Sequence, residues 1–294
     1  MKTYFYAALA VALGGLLGSC TSDDKVMGDE MEGTTSITFR VKGMQIDVSD
    51  TRASLGDAFP MMELALYTIN DDGTYTKYRE IDQTSSSATF GVMTLENVKC
   101  GKYRLVCIGH NDSQHPDIDD PTDVAFTNYP NAYLFSQDVV LAQSTTSIDV
   151  PMAHASARIR FDLQGYIPEE VKGIQFTLDG VSANLNAITG YAKSTTTRVA
   201  TGNVSETSRA NKLFSTAVYT FLTQDELSAT DSYVTVSIAG LDESSNPVDS
   251  KTYEKVPLKI GYLTTFTGVF FDYNSTGVNF SVNSSWSDYV NVSL

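Results

Sequence analysis

Apolar and polar residues alternate along most of the chain. Thr35-Ser36-Ile37-Thr38-Phe39-Arg40-Val41-Lys42 places Ile37, Phe39 and Val41 on one face and polar groups on the other, as expected of a half-buried strand. Ser156-Ala157-Arg158-Ile159-Arg160-Phe161-Asp162-Leu163 has the same period. Between these two, Glu63 to Ile69 and Thr74 to Tyr78 flank Asn70-Asp71-Asp72-Gly73 and predict a hairpin. Further strands are expected at Ala88–Val92, at Leu95–Val98, from Lys102 to Ile108, at Val139–Leu141 and at Ser147–Val150. A second block adds Gly173–Leu178, Phe214–Leu222, Tyr233–Ile238 and Thr252–Ile260, and then Thr265–Phe271 paired with Gly277–Val282. Turn residues recur about every ten positions, and Thr, Val, Ile, Tyr and Phe dominate the intervening runs. No segment sustains a helical apolar period. Two stretches break the pattern: a polar loop from His110 to Asp123, and a Ser/Thr-rich stretch from Lys193 to Asn211 expected to be a long surface loop. The expected fold is all-β, with two tandem antiparallel β-sandwiches at 34–153 and 154–294, joined near Met152–Ala155.

The first twenty residues differ from all of this. Lys2 precedes an uncharged apolar run from Tyr4 to Leu17, which ends in Leu17-Gly18-Ser19-Cys20. The run falls short of the roughly 20 residues of a membrane span but suits a secretory signal. Leu-Gly-Ser-Cys resembles the lipobox of bacterial lipoproteins, which implies cleavage before Cys20 and a lipid on its thiol. A signal peptide with an incidental Cys at its end is the alternative. Lipid chains add about 0.8 kcal/mol per buried CH₂, and two suffice for stable anchoring. Residues 20–33 carry Asp23, Asp24, Asp29, Glu30 and Glu32. They read as an acidic tether, and they also resemble the signal that sends lipoproteins of Bacteroidales-type bacteria to the outer face of the outer membrane.

The chain has 294 residues and a net charge of −15, becoming −16 once residues 1–19, which include Lys2, are gone. So acidic a surface argues against nucleic acid as a partner. Cys100 and Cys107 lie seven residues apart on one extended segment, about 23 Å, too far for a disulfide without a fold-back. Of the three histidines, His110 and His115 lie in the loop His110-Asn111-Asp112-Ser113-Gln114-His115-Pro116-Asp117-Ile118-Asp119-Asp120. Imidazoles and carboxylates together can hold a divalent cation. The spacing fits neither an EF-hand nor a structural zinc pattern, so a solvated acidic loop is expected, with no metal. No phosphate-binding glycine loop, metalloprotease motif or nucleophile elbow appears. The expectation is therefore a chain that is not an enzyme and has no cofactor besides the covalent lipid.

The order of the segments resembles the fimbrillin superfamily, the subunits and anchoring proteins of type V pili. The resemblance rests on the lipobox, Thr51-Arg52-Ala53, and the runs from Met62 to Gly73 and from Leu95 to Val106. It also rests on Ala157-Arg158-Ile159-Arg160-Phe161, Leu263 to Phe270, and Trp286 near the end. It implies transthyretin-like sandwiches and a surface location at the outer membrane. The implied partners are other fimbrial subunits, and a host or bacterial surface receptor is compatible. Polymerising members are trimmed by an Arg-specific protease, which opens a groove that a neighbour's strand fills. The matching cleavage lies between Arg52 and Ala53, and the removable strand lies within Thr34–Val48, carrying Ile37, Phe39 and Val41. Anchoring members stay untrimmed and lipidated. Chain size and the short end after Trp286 suit an anchor, whereas Arg52 suits a trimmed stalk or tip subunit or is simply a loop arginine after an edge strand. A different class, a glycan-binding surface lipoprotein, would instead gather exposed aromatic side chains on one face.

Overall fold

The computed structural model describes residues 32–42, 55–223, 232–271 and 279–283. The N-terminal half contains β1 (Thr34–Lys42), α1 (Leu55–Ala58), β2 (Met61–Ile69), β3 (Tyr75–Thr84), β4 (Val92–Lys99), β5 (Gly101–His110), β6 (Val124–Ala125), β7 (Ala132–Leu141), β8 (Ser147–Pro151) and β9 (Ala153–His154). The C-terminal half contains β10 (Ala157–Gln164), β11 (Gly173–Val181), β12 (Asn184–Leu185), β13 (Thr196–Asn203), α2 (Glu206–Asn211), β14 (Leu213–Thr220), β15 (Ser232–Leu241), β16 (Pro247–Leu258), β17 (Leu263–Val269) and β18 (Asn279–Asn283). In the first half the sheet β4-β1-β8 packs on β3-β2-β5-β7-β9, and in the second β14-β10-β17-β18 packs on β13-β11-β15-β16. The fold is all-β and built as sandwiches. One apolar core draws on residues from Ile37 to Met152, another on residues from Ala157 to Phe270.

A third apolar cluster explains why β2 and β5 read as nearly continuous apolar runs. Leu64 and Leu66 point into the N-terminal core, while Ala65 and Tyr67 point out of it and are also buried. A strand covered on both faces loses its alternation. The cover consists of Ile118, Val124 and Phe126 from the segment after β5, with Leu185, Ala187, Ala192 and Phe221 from the C-terminal half. Strands β6 and β12 pair across this seam, Asn184 Nδ2 donates to Asp123 Oδ1 at 2.9 Å, and the Arg198 guanidinium lies 4.2 Å from the Tyr129 ring centre.

Several expectations need correction. The sheets are not purely antiparallel: β1 runs parallel to β8, and β10 parallel to β17. Ala88–Val92 is largely a turn, because Gln83 organises it: Gln83 Oε1 accepts from the Gly91 N–H at 2.9 Å, and Nε2 donates to the Val92 carbonyl at 3.0 Å. Gly91 there has φ +85°, a conformation glycine adopts without strain. The stretch from Lys193 to Asn211 is not a long loop either. It holds β13, an edge strand with one solvated face, and α2, which starts at the N-cap Ser205. The α2 residue Arg209 donates to the carbonyls of Ile167, Pro168 and Val171, pinning the connection before β11.

Candidate functional site

Strand β1 occupies a slot between β4 and β8. Its alternation is realised side chain by side chain: Ile37 and Phe39 are fully buried and Val41 nearly so, while Arg40 and Lys42 face solvent. Ile37 lies opposite Leu95 on β4, Phe39 lies between Met93 on β4 and Ile148 on β8, and Val41 pairs with Val150. The ladder to β4 shifts register between Thr35 and Ile37. Near its start the Cys100 N–H donates to the Gly33 carbonyl at 2.9 Å, and Thr35 Oγ1 donates to the Thr145 carbonyl at 3.0 Å. Near its end the Val41 N–H donates to the Gly91 carbonyl at 2.9 Å. Burying Ile37, Phe39 and Val41 stabilises this arrangement by roughly 5–9 kcal/mol on area grounds. The slot combines main-chain pairing on both sides with three apolar sockets, the arrangement that strand addition requires. Cys20, Arg52, Ala53 and Trp286 lie outside the described residues.

The His110–Asp123 segment exposes most of its acids to solvent, but it is anchored by buried side chains. His110 ends β5 and is fully buried, Asp112 is 4% exposed and Ile118 is covered. The sequence pattern leaves out their partner, Glu63, whose one signal is a lone charge in the apolar run Met61-Met62-Glu63-Leu64-Ala65-Leu66. Glu63 is 1% exposed and points to the same face as Ala65 and Tyr67. Its Oε1 meets His110 Nε2 at 3.0 Å and His115 Nδ1 at 2.5 Å, and its Oε2 is buried without a hydrogen-bond partner. The Asp112 N–H donates to His110 Nδ1 at 3.0 Å, so the His110 proton sits on Nε2 and is donated to Glu63. His115 Nε2 faces Asp82 Oδ2 at 3.6 Å, Asp82 being the cross-strand neighbour of Glu63.

Asp112 fastens the far side of this loop. Burial pushes its carboxyl up, but hydrogen bonds from the Asn128 side chain and backbone and from the Ser113 N–H outweigh that and hold it below the usual carboxylate range. Tyr67 donates to the Ile118 carbonyl at 2.5 Å, tying the same loop to β2. His154, in β9, packs against the Tyr133 ring with centres 4.3 Å apart and planes tilted by 35°, and burial depresses its pKa to about 4. Cys100 and Cys107 are both free and buried, and burial pushes the Cys107 thiol well up.

Solved structures of bacterial proteins share this fold, three of them as follows. A candidate adhesin from Bacteroides ovatus matches with a TM-score of 0.52 at 13% identity, over 82% of this chain and 88% of its own. Candidate polysaccharide-binding proteins from Bacteroides thetaiotaomicron match with a TM-score of 0.53 at 11% identity, over 85% and 96%. A candidate adhesin from Bacteroides thetaiotaomicron gives 0.50 at 10%, over 85% and 97%. No curated protein matches the sequence. A family model does match residues 28–290, and the chain accordingly belongs to DUF6562, a family of unknown function.

Proposed function

We propose that the chain is a structural, non-catalytic component of a cell-surface fimbrium, a base or anchoring subunit held to the outer membrane by lipid on Cys20. The observation that carries this reading is β1 itself. A subunit whose own β1 fills the slot between β4 and β8 keeps that slot closed to a neighbour's strand. An uncut precursor shares that state, but an anchor, which is never trimmed, would keep it and meet other fimbrial subunits through its sheet edges. The shared fold with candidate adhesins of Bacteroides agrees with a role at the cell surface.

The alternative within the same class is a stalk or tip subunit cut after Arg52. Such a chain loses β1 and accepts a strand in its place, with Leu95, Met93, Ile148 and Val150 lining the vacated slot. Intact-mass analysis of protein taken from native cell surfaces separates the two. The expected result is a lipidated Cys20, and a chain starting at Ala53 overturns the anchor reading. Glycan binding has less support. Among the described residues, the strongly exposed aromatic side chains are Tyr166 and Tyr233. Tyr166 lies in the connection leading to Gly173, which pairs with Leu241, while Tyr233 lies eight residues back along β15. Two exposed rings on separate segments are not the gathered aromatic face that the glycan reading expects.

A further inference from the structure

From the cluster beneath the His110–Asp123 segment we infer a binding site for one divalent transition-metal ion of the zinc class, with Glu63, His110 and His115 as its ligands. The donor atoms of the three residues lie within 4.8 Å of one another. Both imidazole nitrogens that face the carboxylate converge on a single oxygen, Glu63 Oε1. Two imidazoles and one carboxylate form a donor set that suits zinc and its first-row neighbours and does not suit calcium, which takes oxygen ligands.

The electrostatics point the same way. Glu63 is almost fully buried and its second oxygen has no hydrogen-bond partner. Among the described residues no Lys or Arg forms an ion pair with it; its pairings are with the two histidines. A buried carboxylate without a cation is costly, by several kcal/mol as an order of magnitude. A divalent ion at the convergence point supplies the missing charge. His115 is 38% exposed on its side chain and opens the site to solvent, so an ion has a way in.

The surroundings also specify what binding must rearrange. With a metal on His115 Nδ1, the ring proton moves to Nε2, where Asp82 Oδ2 stands 3.6 Å away. A carboxylate behind a metal-bound imidazole is the usual outer-shell partner. His110 has a stiffer condition. Its Nδ1 now accepts the Asp112 N–H, so ligation through Nε2 shifts the ring proton to Nδ1 and breaks that hydrogen bond. The loop at Asp112 must therefore yield slightly when the ion enters. A bound ion would join β2, the end of β5 and the loop that leads to β6, stiffening the part of the N-terminal half that meets β12.

The test is titration of the intact lipidated chain in detergent with Zn²⁺, followed by calorimetry, and with Co²⁺, followed by its visible ligand-field absorption. One ion per chain is expected, with a Co²⁺ spectrum of low coordination number and a higher thermal midpoint in Zn²⁺. His115→Ala removes a half-exposed side chain and leaves the fold intact, and it should weaken binding by at least about tenfold. Glu63→Gln should abolish the cobalt bands, while Asp119→Asn, an exposed acid in the same loop, should change nothing. Absence of saturable 1:1 binding overturns the site. So does binding undiminished in His115→Ala, or a preference for Ca²⁺ over Zn²⁺.

Discussion

Strands β1 and β10 open the two halves in the same way, yet they are seated differently. Each lies inside its sheet, antiparallel to one neighbour and parallel to another that comes late in its half: β4 and β8 for β1, β14 and β17 for β10. The β10 ladder to β14 runs unbroken from Ala157 to Gln164, and its parallel neighbour β17 is in turn covered by β18. The β1 ladder to β4 slips between Thr35 and Ile37, and β8 ends its sheet among the described residues. Phe161 of β10 stacks on Phe176 at 4.0 Å and on Phe266 at 5.1 Å, whereas Phe39 of β1 has no such ring stack among the described residues. One topological position has thus been built once as a fixed core strand and once as a strand that main-chain pairing and three sockets hold in place. The difference makes β1 the less regularly paired of the two among the described residues.

The sharpest way to break this comparison is to truncate both aromatic anchors. Phe39→Ala and Phe161→Ala should each cost about 3–5 kcal/mol in urea unfolding. Phe161→Ala should stand at the upper end, since it also removes ring stacking worth about 0.5–1.5 kcal/mol per pair. Limited proteolysis should then separate them: Phe39→Ala releases β1 selectively, and Phe161→Ala loosens the whole C-terminal half. Equal release of β1 in both variants would mean that the two strands are seated alike.

Acid provides a smaller lever, acting where the first half gives way to the second. The folded His154 has a pKa of about 4 against an ordinary 6.5, so the unfolded chain binds its proton first as pH falls. Stability from this group is complete above about pH 6.5 and is lost as pH drops toward 4, by up to about 3 kcal/mol. Asp112 contributes in the same direction at lower pH, because its folded carboxyl is held below the usual range. His154→Gln should flatten the pH 4–6.5 slope of the unfolding midpoint, and an unchanged slope would assign the acid sensitivity elsewhere. The smallest effect is expected at Lys42, whose ion pair with Asp149 spans 3.5 Å between two largely exposed side chains. Lys42→Ala should cost under about 1 kcal/mol, less in high salt.

What the sequence reveals follows from how local each interaction is. The faces of β1 and β10 are legible because burial on one side writes a two-residue period into the chain. The hairpin at Asn70–Gly73 is legible because its turn chemistry is local. Strand β13 escapes notice since its Thr-rich edge carries few apolar residues. The parallel pairings escape because nothing local encodes a partner that far away. Glu63 was visible as an odd charge, but its histidines lie 47 and 52 residues further on, so only the folded chain brings the three together.

The pairing of β1 with β8 also fixes an order of events. Thr35 bonds to Thr145, 110 residues later, and Thr38 bonds to Thr94, 56 residues later. Closing loops of that length is entropically costly and slow compared with forming a local hairpin such as β2–β3. Strand β1, the earliest of the described strands in the sequence, is therefore among the last in its half to be seated, and it must wait, apolar face uncovered, until the far wall of its slot has been made. A newly made chain passes through a stage in which everything from β2 to β8 can be assembled and the vacancy for β1 still stands open.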